Sequence, residues 1–355
     1  MAIETAPSSS ASPQPQVRYA GALIETRGLT RHFRVGGLFS RRLLHAVDDV
    51  DLAIGAQEIV ALVGESGSGK STVARLLTRV YTPTRGEIRF RGRPLSSLKS
   101  RRDLLQYRGK VPMVFQDPYS SLNPVYRVSH GLTRAMTLHR PHLDRAARER
   151  EAARILESVG LTPADEFLHK FPYELSGGQR QRIGFAQALA CCPEVIIADE
   201  PVSMLDVSVR IGVLNLMAEL RRREGISFLY ITHDLASARY LADRLIVMYA
   251  GHVVESGPTE DVLANPKHPY TQLLLSAVPD PRAPVALPST TEVREPPRVI
   301  DPGEGCRFRA RCPYAIEICS EVTPLLRELR ADHTAACHVA TPDSPSPSQG
   351  FPSGG

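Results

Sequence analysis

The sequence predicts an α/β fold, because apolar strand-like runs alternate with helical patterns and end in polar residues. The clearest unit is the run Ile59–Val63, which leads into a glycine-rich loop and then into helical spacing of apolar residues from Val73 onward. Two further apolar runs, at 195–198 and 226–231, also end abruptly in charged or polar residues. Strands that alternate with helices favour the α/β class. We therefore expect the chemistry of this protein where its strands end.

The glycine-rich loop has the spacing of a P-loop, with Gly64 and Gly69 flanking four residues and Lys70 and Ser71 following at once. Glycines let backbone N–H groups converge on phosphates, and the next helix points its positive end at the same anion. Lys70 is expected to reach the β- and γ-phosphates, and the Ser71 hydroxyl to ligate Mg²⁺. The alternative, a turn that binds nothing, is disfavoured by the strand–loop–helix order. The predicted nucleotide-binding residues here are Gly64, Ser66, Gly67, Ser68, Gly69, Lys70, Ser71 and Thr72.

Composition and charge narrow the class of protein. Apolar residues make up 42% and charged residues 23% of the 355 residues, as in soluble globular proteins. No apolar run approaches the roughly 18 residues needed to span a bilayer, so the chain is not expected to cross a membrane by itself. The net charge of +5 is spread along the chain and carried mainly by arginine, which does not predict a nucleic-acid surface.

Three more segments carry candidate site residues. A strand predicted over 111–115 ends in Gln116, which is placed to face a bound metal or water. Leu175–Gln179 joins a serine and two glycines to a predicted helix N-terminus, which again suits phosphate oxygens. Phe33 could stack on an adenine ring, although an aromatic here is more often part of the core. The residues of the second phosphate-gripping turn are Ser176, Gly177, Gly178 and Gln179.

The run 195–198 delivers the adjacent carboxylates Asp199 and Glu200 to its end. Two buried carboxylates are costly unless they meet a cation or a polarised water. We expect Asp199 to hold Mg²⁺ through water and Glu200 to orient and deprotonate the attacking water. His233 follows the next strand, where it could contact a γ-phosphate, although a lone histidine is usually structural or exposed.

In their order along residues 23–257, these motifs and Leu205-Asp206 resemble the ATP-binding subunit of an ABC transporter. The resemblance implies two cassettes facing head to tail, with the serine-glycine turn of one closing over the γ-phosphate held by the other. It implies that Asp206 communicates between the two sites and that Gln116 senses Mg²⁺ and couples to membrane subunits. It also implies adenine stacking by Phe33 and a γ-phosphate switch at His233.

A finer resemblance, to the oligopeptide/dipeptide importer branch, is carried by residues 116–124, by His268-Pro269-Tyr270-Thr271 and by the cysteine-containing segment 306–319. One departure is Val202-Ser203-Met204, where Thr-Ser-Ala is commoner, and it changes no catalytic group.

A helix is predicted over Ala146–Val159 and is expected to end at Gly160. The predicted domains are a disordered cytoplasmic tail at 1–20, an ABC nucleotide-binding domain at 21–265, a Cys-containing C-terminal region at 266–340, and a disordered tail at 341–355. Within the nucleotide-binding domain, a P-loop NTPase core is expected to carry an antiparallel β subdomain and a helical subdomain at about 117–180.

The resemblance also implies the partners. These are a second, related ABC ATPase subunit, two transmembrane permease subunits and an extracellular substrate-binding protein, with this chain at the cytoplasmic face of the membrane. Di- or oligopeptides are the expected cargo, and nickel, glutathione or oligosaccharides are alternatives. A nucleic-acid-linked cassette ATPase is a rival class, which the single P-loop and the lack of a sustained heptad pattern disfavour. A subunit that binds ATP without turnover is a second rival.

Six cysteines fall into two groups. Cys191 and Cys192 lie in an apolar segment and are predicted to be in the core. The other four are spaced C-x5-C-x6-C-x17-C, which is not the pattern of tight pairs in a zinc ribbon, and a disulfide framework does not suit a cytoplasmic ATPase. Similar branch members carry such a motif, in some with a [4Fe–4S] cluster; zinc and free thiols remain alternatives. These candidate ligands are Cys306, Cys312, Cys319 and Cys337.

Overall fold

The computed structural model describes residues 21–36, 41–117, 122–277 and 299–343. The predicted tail at 1–20 and residues 344–355 of the second tail lie outside the described residues, as do four residues, 118–121, of the segment 116–124.

The strands of the described residues are β1 Ile24–Arg34, β2 Leu43–Ile54, β3 Ile59–Val63, β4 Arg85–Phe90, β5 Arg93–Pro94, β6 Met113–Val114, β7 Val195–Asp199, β8 Ser227–Thr232, β9 Arg244–Tyr249, β10 His252–Pro258, β11 Arg327–Arg330 and β12 His333–Ala335. The helices are α1 Lys70–Leu77, α2 Arg101–Lys110, α3 Val128–His139, α4 Arg145–Ser158, α5 Ala164–His169, α6 Gly177–Ala190, α7 Val207–Glu224, α8 Leu235–Leu241, α9 Thr259–Ala264, α10 Pro269–Ser276 and α11 Ile318–Glu321. Three short 3₁₀ turns span Leu95–Ser97, Pro172–Glu174 and Arg309–Arg311.

The larger sheet has the strand order β11-β12-β10-β9-β3-β8-β7-β6. Its strand β3 is parallel to both β9 and β8, and β7 is parallel to β8 and β6. Parallel neighbours bring their carboxyl ends to one edge of the sheet, where ligands of such folds bind. The three apolar runs singled out in the sequence are β3, β7 and β8, so their polar endings meet at this edge.

Both faces of the central strands of this sheet are buried, and the side chains of each central strand alternate between two cores. In β3, Ile59, Ala61 and Val63 belong to one core, while Val60 and Leu62 belong to the other. The same alternation recurs in β7, β8 and β9. A parallel strand covered on both faces reads as an unbroken apolar run rather than an alternating one, which explains the sequence pattern of β3.

Two layers cover these faces. The antiparallel sheet β2-β1-β4-β5 and helix α1 share one core with the strands. Helices α3 to α6 share the other. Helix α4 matches the helix predicted over Ala146–Val159, and Gly160 follows it with φ 74°, a left-handed residue suited to ending a helix. None of the helices formed by the described residues combines the length and apolarity needed to span a bilayer.

The C-terminal region continues the larger sheet. Strand β12 pairs antiparallel with β10, with Glu255 opposite Ala335, and β11 pairs with β12. Near its start, Asp301 donates its N–H to Leu43 O at 2.9 Å and accepts the Leu43 N–H through its side chain at 2.9 Å. Residues 299–343 are therefore hydrogen-bonded to the edges of both sheets.

Two local predictions need correction. The strand predicted over 111–115 is only Met113–Val114, because it lies at the sheet edge and pairs on one side only, with β7. Cys191 is half-buried and Cys192 is exposed, although both are predicted to lie in the core. Helix α6 ends at Ala190, and the chain turns through Cys192 with φ 56° on its way to β7, which leaves that side chain at the surface.

Candidate functional site

The P-loop connects β3 to α1, and Lys70 is buried at the start of that helix with 5% of its surface exposed. Its ammonium donates to the main-chain oxygens of Gly64 at 2.7 Å and Glu65 at 2.8 Å, and to Ser68 Oγ at 3.3 Å. Burial lowers the pKa of Lys70, and the charges of Glu200 and other nearby carboxylates oppose this. The loop thus holds an ammonium that can exchange carbonyl partners for phosphate oxygens.

Close packing behind the loop requires glycine at two positions. A Cβ added at Gly64 would lie 2.1 Å from Met248 O in β9, and one added at Gly69 would lie 2.2 Å from Ala46 O in β2. Gly69 also has φ 106°, which other residues rarely adopt. The loop backbone therefore rests directly on the strands beneath it. Towards solvent, Ser66 and Gly67 are exposed; Ser68 is buried, and Thr72 is half-buried.

Ser71 and Asp199 form the candidate metal site. The Ser71 hydroxyl donates to Asp199 Oδ1 at 3.1 Å across the edge of the sheet, and Asp199 is 6% exposed. Burial raises the pKa of Asp199, and the hydrogen bond from Ser71 opposes that shift. A hydroxyl and a carboxylate oxygen are ligands that Mg²⁺ accepts, and a divalent cation would offset the buried charge. The residues present therefore fit the metal.

Two predicted site residues, Gln116 and His233, converge on the carboxylate of a third, Glu200. Gln116 Nε2 donates to Glu200 Oε2 at 3.0 Å, and His233 Nδ1 lies 3.3 Å from the same oxygen. Glu200 has φ 47°, an unusual conformation for a residue with a side chain, and its N–H donates to Ile231 O at 3.0 Å. The Glu200 side chain is 17% exposed and His233 is 60% exposed. A carboxylate flanked by an amide and an imidazole at a solvent-facing edge can accept a proton from water.

The second phosphate-gripping turn starts helix α6. Ser176 Oγ accepts the N–H of Gln179 at 3.3 Å, and Gln179 Oε1 accepts the N–H of Ser176 at 2.9 Å, which makes a capping box. Gly177 would tolerate a Cβ, which would lie 3.6 Å from the nearest side chain, but a Cβ at Gly178 would lie 2.4 Å from Val209 Cγ1. Ser176 is exposed. The turn is thus packed against α7, the helix that follows Glu200 in the chain, and presents its serine to solvent.

Phe33 and Asp206 complete the predicted set. The half-buried Phe33 ring has the Arg31 guanidinium 4.6 Å from its centre and Tyr81 edge-on at 5.3 Å. A stacked adenine would therefore share this ring with a cation already in place. Asp206 is exposed at the N-cap of α7 and makes no side-chain capping hydrogen bond.

Sequence reasoning missed a contact between the P-loop and the C-terminal region. Glu65, inside the loop, pairs through both carboxylate oxygens with Arg311, at 2.9 and 2.8 Å. Its main-chain N–H donates to the Tyr270 hydroxyl at 2.8 Å. Arg311 and Tyr270 were visible only as members of branch motifs, and nothing local in the sequence pairs residues 246 positions apart.

A second cluster surrounds Asp48 in β2. His45 Nδ1 lies 2.8 Å and His32 Nε2 3.1 Å from its carboxylate, and Arg307 donates to it at 2.6 Å. Burial raises the pKa of Asp48, but hydrogen bonds from His45, Arg307 and His32 outweigh it and hold the pKa well below its usual range. Among the described residues, these two histidines and Asp48 are the one group of three or more donors within metal-binding distance of each other.

That group is not arranged to hold a cation. The two imidazole rings are stacked, with centroids 3.7 Å apart and planes 24° apart. A metal must lie in the plane of each ligating ring, and two nearly parallel rings cannot both direct a lone pair at one ion. Arg307 already supplies a positive charge to the shared carboxylate. The cluster is a structural carboxylate bridge between β1, β2 and the C-terminal region.

The four C-terminal cysteines have free thiols and lie within electrostatic reach of one another. Cys306 accepts backbone N–H groups from Phe308 and Arg309, and its charge interacts with those of Cys319 and Cys337. Burial raises the pKa of Cys312 to about 11, so without a cation it stays a neutral thiol. No three of these sulfurs, within the described chain, come as close as ligands of a single ion would. The predicted iron–sulfur site is therefore a set of neighbouring, hydrogen-bonded thiols with no single-ion geometry.

The comparisons with known proteins agree with this geometry. Residues 47–203 match the ABC transporter family, and residues 254–319 match the oligopeptide/dipeptide transporter C-terminal region. The oligopeptide transport ATP-binding protein AppF of Bacillus subtilis is 41% identical over 322 residues, covering 89% of this chain and 97% of AppF.

Solved structures give the same fold. The ATP-binding cassette MJ0796, as a dimer in a post-hydrolysis state with ADP and Pi, is similar with a TM-score of 0.59 and 27% identity, covering 66% of this chain and 98% of that one. CbiO1 from Clostridium perfringens, part of the ABC transporter complex cbiONQ, has a TM-score of 0.59 and 25% identity, covering 68% and 90%.

The predicted fold, a P-loop α/β core with antiparallel and helical layers, is confirmed by these neighbours. Together the two family matches include the P-loop and three of the four C-terminal cysteines. This chain therefore belongs to the ATP-hydrolysing subunits of the ABC transporter family, in the branch defined by the oligopeptide/dipeptide transporter C-terminal region.

Proposed function

We propose that this chain hydrolyses MgATP to drive the uptake of di- or oligopeptides through separate permease subunits. One observation carries the proposal: Glu200 Oε2 has Gln116 Nε2 at 3.0 Å and His233 Nδ1 at 3.3 Å, beside the Ser71–Asp199 pair. The names of the relatives and the C-terminal family match support peptides as the cargo. Nickel, glutathione and oligosaccharides are alternative cargoes for the same ATPase.

The residues divide the reaction between them. Lys70 and the amides of the P-loop bind the β- and γ-phosphates, and Phe33 stacks on adenine. Ser71 and Asp199 hold Mg²⁺, which when bound neutralises charge on the phosphates. Glu200 accepts the proton of the attacking water, while Gln116 and His233 orient Glu200 and contact the γ-phosphate side of the site.

A second cassette completes the site. The exposed Ser176, with Gly177, Gly178 and Gln179 behind it, is proposed to close over the γ-phosphate bound by a partner cassette, with Asp206 linking the two sites. The dimeric, nucleotide-bound structure of MJ0796 supports this arrangement. We propose a related subunit as the partner, two permeases, an extracellular binding protein and a position at the cytoplasmic face of the membrane. No nucleic acid takes part.

Replacing Glu200 with glutamine tests the proposal. The change keeps shape and hydrogen bonding but removes the base, so ATP turnover is expected to fall by about 10²- to 10⁴-fold while ATP binding persists. Turnover is measured with the partner ATPase and permeases in proteoliposomes. Glu224→Gln, at the far end of α7, is the matched control and should keep full activity. Normal turnover in Glu200→Gln would remove Glu200 as the base.

Cargo is tested separately, by uptake in a strain lacking this chain. Labelled di- and oligopeptides should accumulate only after complementation with the wild-type sequence and not with Glu200→Gln. Restored uptake of nickel, glutathione or an oligosaccharide instead of peptide would keep the ATPase and replace the cargo. ATP-dependent binding to DNA or ribosomes with no uptake phenotype would favour the nucleic-acid class.

We also propose that Cys306, Cys312, Cys319 and Cys337 ligate a [4Fe–4S] cluster. Backbone N–H groups donate to Cys306, Cys312 and Cys337, which is the environment that stabilises cluster thiolates. A cluster is a larger body than one zinc ion and holds its four sulfurs further apart. Anaerobically purified protein should contain iron and absorb near about 400 nm. Iron-free protein without this absorbance, or one bound zinc per chain, would contradict the proposal.

A further inference from the structure

Glu65 is the residue of the P-loop that the C-terminal region holds. Its carbonyl oxygen accepts from Lys70 Nζ at 2.8 Å, its N–H donates to Tyr270 at 2.8 Å, and its carboxylate pairs with Arg311. The Arg311 side chain is 15% exposed and that of Glu65 is 24% exposed. One residue of the loop is thus fixed at three points, two of them supplied by residues beyond position 265.

The negative charge of Glu65 lies inside the P-loop, where it would affect the binding of a triphosphate. Its carboxylate is close enough to Lys70 to oppose the lowering of the pKa of that ammonium by burial, so it also lies within electrostatic reach of a triphosphate bound by the same ammonium. An unpaired carboxylate there would repel the polyanion. The Arg311 guanidinium, as a planar fork on both oxygens, cancels that charge and fixes its direction. Hydrogen bonding to Glu65 correspondingly holds the pKa of Arg311 above its usual range.

Arg311 belongs to the segment that carries the cysteines. It ends the 3₁₀ turn Arg309–Arg311 and immediately precedes Cys312. At the start of this segment, Arg307 follows Cys306 and donates to Ala250 O at 2.6 Å. The next residue, Gly251, donates its N–H to Ser68 O of the P-loop at 2.9 Å. The cysteine segment is therefore connected to the P-loop in two ways: directly, through the Arg311–Glu65 ion pair, and indirectly, through the contact of Arg307 with the turn at 250–251.

We propose that Arg311 is a positioning residue for ATP, which acts by neutralising and aiming Glu65 and so makes nucleotide affinity depend on the folded state of the cysteine segment. Arg311 acts without touching the nucleotide. It acts through Glu65 and the loop backbone that Glu65 anchors. The inference rests on the proposed role of the P-loop in binding MgATP, and it adds a regulatory input that the ATPase cycle itself does not require.

Affinity for MgATP, measured calorimetrically on the full chain, tests the proposal. Arg311→Gln is expected to weaken binding about tenfold, a loss of 1.4 kcal/mol. The loss should shrink in high salt, because it comes from an unpaired charge that ions screen. Arg309→Gln removes an exposed arginine from the same 3₁₀ turn and should bind like the wild type. Arg311→Lys keeps the charge without the fork and should fall between the two.

The double variant Glu65→Gln/Arg311→Gln separates charge from folding. Removing the carboxylate as well should restore affinity to within about twofold of the wild type, because no unpaired charge is left and replacing both partners of an interaction can be nearly neutral. A double variant that stays as weak as Arg311→Gln, or an Arg311→Gln protein with unchanged affinity, would overturn the proposal. Wild-type protein that bound no MgATP would instead refute the proposed function. Thermal melting of each variant without nucleotide identifies any protein that has not folded.

Discussion

Replacing His268 with asparagine is expected to remove part of the acid sensitivity of this protein. His268 is 1% exposed, and its Nδ1 accepts the N–H of Tyr270 at the start of α10. Burial lowers the pKa of His268 to about 3 from 6.5. An acceptor nitrogen cannot carry a proton, so the folded protein holds this ring neutral. The same helix start places Tyr270, whose hydroxyl accepts from the P-loop residue Glu65.

The direction and size of the pH effect on the free energy of unfolding follow from proton linkage. Below the unfolded pKa of 6.5 the unfolded chain binds a proton at this ring that the folded protein does not. The free energy of unfolding is therefore highest above pH 6.5 and decreases as the pH falls towards 3. For these two pKa values the loss is about 1.4 kcal/mol at pH 5.5 and close to zero at pH 7.5. Asparagine can cap the helix but does not titrate. The free energy of unfolding of His268→Asn should therefore fall by about 1.4 kcal/mol less than that of the wild type over this interval.

Urea unfolding at the two pH values provides the measurement. The variant is expected to be less stable at both, because asparagine fills the buried site less completely, so the informative quantity is the difference between the two proteins at each pH. His252, whose pKa burial lowers to about 4, remains in both proteins and cancels in that comparison. An equal loss of stability in both proteins between pH 7.5 and 5.5 would show that His268 is not held neutral by the fold.

Lys70→Ala should weaken MgATP binding strongly, because it removes the buried ammonium of the loop; titration calorimetry would detect an unchanged affinity and contradict that role. Ser71→Ala should raise the Mg²⁺ concentration required for half-maximal ATPase activity, and an unaltered Mg²⁺ dependence would exclude Ser71 as a ligand. Gly178→Ala should lower the free energy of unfolding by about 1–3 kcal/mol through overpacking against Val209, whereas Gly177→Ala should be nearly neutral. Equal stability of these two glycine variants by denaturant unfolding would contradict the packing argument.

The sequence alone predicted those parts of the fold and of the candidate site whose chemistry is local. The P-loop needs its glycines, lysine and serine within nine consecutive residues, because a single tight turn must wrap one phosphate. Asp199 and Glu200 are adjacent, and the apolar run before them already marks a strand buried on both faces. The residues of such features are close together in the sequence as well as in space, so residue type and spacing were enough to predict them.

Tertiary structure decided what depends on residues far apart in the chain. It brought Gln116 and His233 to one oxygen of Glu200, and it placed Arg311 on Glu65 across 246 positions. By itself, the sequence determined a nucleotide-binding α/β cassette with a cysteine-containing C-terminal segment. Only the fold decided that the C-terminal region 299–343 adds strands to the central sheet and contacts the P-loop, because side-chain contacts of this range arise from packing geometry that no local pattern encodes.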